Sequence, residues 1–146
     1  MNNAGSTADQ PNDVVFSSDR RFSVTSYYDS HGLLLLKSRP SNDHPARTTV
    51  DVLFQDVRAI ELRVWFTGLT ITKRDSSFLA PFASKPMEMI EPGLQVYELE
   101  SADWRGFVLG GNVRSEEHDG CKFYDSPLFG INRPEGISGS GPMREL

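Results

Sequence analysis

Apolar residues recur at every second position through the middle of this chain, and that period admits few folds. In RTTVDVLF, Thr48, Val50, Val52 and Phe54 share one face, and Thr49, Asp51 and Gln55 the other. In AIELRVWF, Ile60, Leu62, Val64 and Phe66 alternate with Ala59, Glu61, Arg63 and Trp65. Successive side chains of a strand point to opposite faces, so such runs predict half-buried antiparallel strands rather than helices. Residues 59–66 alternate most cleanly. They are expected to form one central strand, with Leu62 anchoring the core and Glu61 and Arg63 on the opposite face.

The neighbouring segments extend the pattern. RFSVTSYYD leads into Asp29-Ser30-His31-Gly32, which reads as a tight turn, and the four leucines of LLLLKS then suggest a strand buried on both faces, a run too short for its period to separate strand from helix. Thr67-Gly68 marks a turn or bulge before LTITKRD. LQVYELES sets Leu94, Val96 and Glu98 against Gln95, Tyr97 and Leu99, and RGFVLGGNVRSEE reads as a strand bent at Gly110-Gly111. HDG predicts a turn and CKFYDSPLF a last short strand. Residues 75–93 hold three prolines and no sustained period, which predicts either a long surface loop or a loop with one helical turn around Pro86 to Ile90. The expectation is a mostly β fold of about 7–8 strands, an antiparallel two-sheet sandwich or partly open barrel, with little helix. Residues 1–19 read as a disordered N-terminal arm, 20–129 as a single β-rich domain and 130–146 as a flexible tail.

Composition narrows the function. The formal net charge of −5 argues against nucleic acid, whose binders present a basic face. Residues 1–73 carry 8 basic and 8 acidic side chains and residues 74–146 carry 7 and 12, so the negative charge sits in the second half. An acidic face there would steer a basic partner toward it. No apolar run approaches the roughly 20 residues of a membrane-spanning helix. A single cysteine, Cys121, and the lack of a secretory leader point to a cytoplasmic chain.

Catalytic, metal and cofactor signals are thin. Asp29, Ser30 and His31 hold triad residue types, but in a strand-turn they diverge. His118 and Cys121 flank a turn at zinc-ligand spacing without a second pair, and no glycine-rich phosphate loop is found, so no metal or cofactor is expected. What remains is aromatic and arginine content, the residue types that dominate protein interfaces. Arg63, Trp65, Trp104 and Tyr97, with the acidic Glu116 and Glu117, are the candidate binding residues. Tyr28, His31 or Trp104 would instead serve a pocket if the chain were a small-ligand-binding barrel or a small enzyme. The chain is expected to be a monomer or a homodimer, since a sheet edge that is not capped tends to pair.

The stretch TTVDVLFQDVRAIELRVWFTGLTITKRD, through Val50, Val52, Phe54, Val57, Leu62, Phe66, Gly68, Leu69 and Ile71, resembles small β-rich bacterial domains, among them immunity proteins of polymorphic toxin systems. VYELES and GFVLGGNVRSEE look like their second sheet region. The resemblance implies a β fold and a non-enzymatic role against a protein partner, an inhibitor covering a toxin. It carries over no functional residue.

Overall fold

The computed structural model describes residues 13–120 and 123–132. Eight strands occupy most of that length: β1 (Val14–Tyr28), β2 (Leu33–Ser38), β3 (Thr49–Gln55), β4 (Ala59–Glu61), β5 (Trp65–Arg74), β6 (Gln95–Glu100), β7 (Arg105–Gly110) and β8 (Asn112–His118). They form one antiparallel sheet in the order β4-β7-β6-β5-β1-β2-β3-β8. The mostly β expectation holds, and short 3-10 turns lie at Ser76–Leu79, Pro86–Met89 and Pro127–Asn132.

The two ends of this sheet meet. β3 and β4 are consecutive parts of residues 49–61, and β7 and β8 are consecutive parts of 105–118. β3 pairs with β8 and β4 with β7, both antiparallel. Between them, Gly111 N–H donates to Gln55 O (2.8 Å) and Arg58 N–H donates to Leu109 O (2.8 Å). The sheet therefore curls into a partly open barrel, bending at Gly110-Gly111 as the paired glycines predict. The β1–β2 hairpin is equally legible. Gly32 sits at φ 57, and a side chain there would meet the Val57 backbone nitrogen at 2.7 Å, so both the turn and the close approach require glycine.

Three apolar layers result. The interior holds Phe22, Leu34, Leu36, Val52, Phe54, Phe66, Ile71, Tyr97, Leu99 and Val108. On the outside of β2 and β3, Leu33, Leu35 and Leu53 are covered by Leu128 and Phe129. On the outside of β6 and β7, Val96, Phe107 and Leu109 are covered by Leu79, with Phe78, Phe82 and Leu94 packed against them. These covers explain why every residue of β2 is buried, as the four leucines suggest.

The structure corrects several expectations. Residues 59–66 are not one central strand. β4 ends at Glu61, the chain turns through Leu62, Arg63 and Val64, and β5 begins at Trp65. The turn is needed because β4 pairs with β7 whereas β5 pairs with β1, and Val24 N–H donates to Val64 O (2.7 Å) at the crossing. Leu62 is only half-buried, Ile60 is exposed, and Phe66 carries the core contact instead. The alternation of these letters is real but is divided between two strands. At the other end of the domain, β1 starts at Val14, so residues 14–19 belong to the sheet rather than to an arm. They are tied down by the loop after β2: His44 Nε2 lies 2.9 Å from Asp19 Oδ1, and this hydrogen bond holds the Asp19 carboxyl below its ordinary value. The expected strand in CKFYDSPLF is replaced, over its described residues, by a turn at Phe123-Tyr124 and the 3-10 segment from Pro127. The predicted helical turn at Pro86 is present, with proline at its first position. Residues 1–12 and 133–146, and with them most of the predicted arm and tail, lie outside the described residues.

Candidate binding groove at the β4–β5 turn

The same crossing that interrupts 59–66 pushes its side chains outward. Val64 is 66% exposed and Trp65 58%, an unusual cost for a large indole. The Arg21 guanidinium of the adjacent strand lies 4.6 Å over the Trp65 ring, a cation–π contact that fixes the ring's outer face. Opposite stands the β6–β7 turn. It is held by Ser101 N–H donating to Trp104 O (3.0 Å) and pinned to β5 by Ser101 Oγ donating to Thr67 O (2.7 Å). Arg63 Nη1 reaches across to Asp103 Oδ2 at 3.2 Å. Between turn and strand runs an open groove of about 700 Å³, lined by Arg63, Val64, Trp65, Phe66, Ala102 and Asp103 among others.

Trp104 adjoins this groove from within. Its ring meets Phe66 edge-on with centroids 5.0 Å apart, and its buried indole N–H has no hydrogen-bond partner among the described residues. A buried donor left unpaired is costly, and most buried indoles find an acceptor. Arg63, Trp65 and Trp104 are thus brought to one place, although Arg63 belongs to the turn and not to a strand face shared with Trp65.

The other candidates lie elsewhere. Tyr97 is 3% exposed and packs edge-on against Phe54 inside the barrel, and burial pushes its phenol above the ordinary value. It is a core residue, not a surface contact. Glu116 and Glu117 stand exposed on β8, where Glu117 accepts from Thr48 Oγ1 and lies 3.8 Å from the buried Arg20. Tyr28 packs edge-on against Phe129, and His31 sits exposed in the β1–β2 turn.

Charge is distributed differently from its order along the chain. Several acids of the second half are met by arginines: Glu91 by Arg58 (2.9 Å), Asp103 by Arg63, and the buried Glu98 by Arg74 (3.1 Å) and Arg105 (2.6 Å). Glu116 and Glu117 are the acidic pair that β8 leaves at the surface.

A buried polar cluster escaped the sequence reading. Lys37 Nζ donates to Asp51 Oδ1 (2.8 Å) and to Asp125 O (3.0 Å), with both side chains almost fully buried. His118 Nε2 lies 3.0 Å from Asp51 Oδ2. Its signal was a lysine closing a run of leucines and an aspartate inside VDVLF, polar letters in strands covered on both faces. No group of three or more His, Cys, Asp or Glu side chains suited to a metal occurs among the described residues, and Cys121 lies outside them. No helix among the described residues is long and apolar enough to cross a membrane. No family model, curated protein or solved structure matches the chain.

Proposed function

We propose that the chain is a non-enzymatic, cytoplasmic protein-binding module of bacterial origin, of the kind that immunity proteins of toxin systems represent, and that the Trp65 groove is its docking surface. The observation that carries this reading is the exposure of Trp65 and Val64 beside Arg21 and Arg63. An exposed tryptophan flanked by arginines is the composition of an interface hot spot, and desolvating it is favourable only against a partner. The half-formed groove offers contact area rather than bond chemistry, since its charged groups Arg63 and Asp103 already pair with each other. The small-ligand alternative has less support: the barrel interior is occupied by Phe22, Phe54, Phe66 and Tyr97. A basic partner would find its acidic complement at Glu116 and Glu117, away from the groove.

The test is affinity capture with the tagged chain beside its Trp65→Ala variant, followed by titration of whatever protein is captured. Loss of a hot-spot tryptophan is expected to weaken binding by about 2 kcal/mol or more, some thirtyfold. An Ile60→Ala control should bind as the parent does. Equal capture by the parent and the Trp65→Ala variant would overturn the assignment of the groove.

A further inference from the structure

The two outermost strands of the sheet order differ in how they meet the edge problem. β4 is three residues long, and short edge strands give little to pair with. β8 is seven residues long, pairs among the described residues with β3 alone, contains no proline or lysine, and keeps its side chains largely exposed. Among the described residues no strand pairs with its second edge. The exposed charges of β8, Arg114, Glu116 and Glu117, oppose indiscriminate pairing, so an edge of this length is a template for a strand that matches them in sign.

The sequence of β8 selects its occupant. NVRSEEH is complementary to itself when two copies run antiparallel about Ser115. That register sets Arg114 of each copy opposite Glu116 of the other, giving two opposite-charge cross-strand pairs related by a two-fold axis. Arg114 and Glu116 are both exposed and are two residues apart, so they stand on one face of β8. Arg114 Nη2 donates to Leu128 O (2.6 Å), which holds its side chain at the sheet rather than free in solvent. Directly opposed charges of unlike sign stabilise a pair of strands and like charges oppose it. A closed two-fold interface of this kind is the commonest oligomer form, and it leaves the short β4 at each end of the joined sheet. We propose that a second copy of this chain adds to β8, β8 against β8, to form a continuous sheet across a homodimer.

Sedimentation as a function of concentration, with cross-linking, decides it. The parent chain is expected to dimerise, and Arg114→Glu or Glu116→Arg alone to weaken association by about tenfold or more through two like-charge oppositions. The double variant R114E/E116R restores the opposition of unlike charges and should recover dimerisation. In a Cys121→Ser background, Ser115→Cys places two thiols across the two-fold axis, about 5 Å apart between Cα atoms, and should form an intermolecular disulfide under mild oxidation. Asn112→Cys, opposite His118 of the other copy, should not. A parent chain that stays monomeric at high concentration, or a double variant no better than the singles, would overturn the proposal. So would equal cross-linking at 112 and 115.

Discussion

At the scale of single residues, the Lys37–Asp51–His118 cluster is where the chain commits most heavily. Gly120 N–H donates to His118 Nδ1 (2.9 Å), which orients the ring with Nε2 toward Asp51. The Asp51 carboxylate is then met by Lys37 on one oxygen and by His118 on the other, and Lys37 spends a second hydrogen bond on the Asp125 carbonyl. Each group is satisfied only while the others stay. Removing one member of a buried ion pair leaves an uncompensated charge, which costs far more than the pair contributes. Lys37→Met is expected to lower stability by about 3–5 kcal/mol in urea denaturation. Lys37→Met with Asp51→Leu should recover a large part of that loss, because neither charge is then buried alone.

At the scale of elements, the crossing between β4 and β5 decides which apolar residues matter. Phe66 is buried against Phe22 and Trp104, whereas Ile60, on the short β4, faces solvent. Phe66→Ala should cost about 3–5 kcal/mol once its cavity is included, and Ile60→Ala no more than about 0.5 kcal/mol, both read from thermal or chemical unfolding. The strands themselves were legible because their signals are local: period two in β3 and β6, the turn and apolar run of β2, and the paired glycines of the bent β7–β8 segment. The break inside 59–66 was not, because it arises from a change of partner, β7 to β1, that no alternation records. The same limit explains the buried cluster. A period-two pattern assigns Lys37 and Asp51 to the non-core face, and only the distant Asp125–Phe129 segment turns that face into interior. Of the candidate site, Trp65 and Arg63 were legible as residue types that tend to bind; that Tyr97 packs inward while Trp65 points outward depends on how the sheet curls.

At the scale of the whole molecule, the barrel interior and its two outer covers are separate apolar layers. The interior cluster shares no residue with the layer formed by Leu33, Leu35, Leu53, Leu128 and Phe129. The 125–129 segment is fastened over β2 and β3 by those side chains, by Lys37 and by Arg114, and it belongs to no strand of the sheet. Lifting it should therefore leave the barrel closed while exposing three leucines and the Lys37–Asp51 pair to water. Replacing both Leu128 and Phe129 by serine removes the apolar contacts of the cover. Each truncation alone forfeits roughly 2–5 kcal/mol of burial, so the double variant should unfold at a much lower temperature. Below that temperature its far-ultraviolet spectrum should remain that of the parent, and Trp104, which packs against Phe66 in the interior, should keep its fluorescence. An apolar dye such as anilinonaphthalene sulfonate should then bind, reporting the uncovered leucines. Loss of the Trp104 signal together with dye binding would mean that the cover and the interior fold as one cooperative unit, and the layers would not be independent.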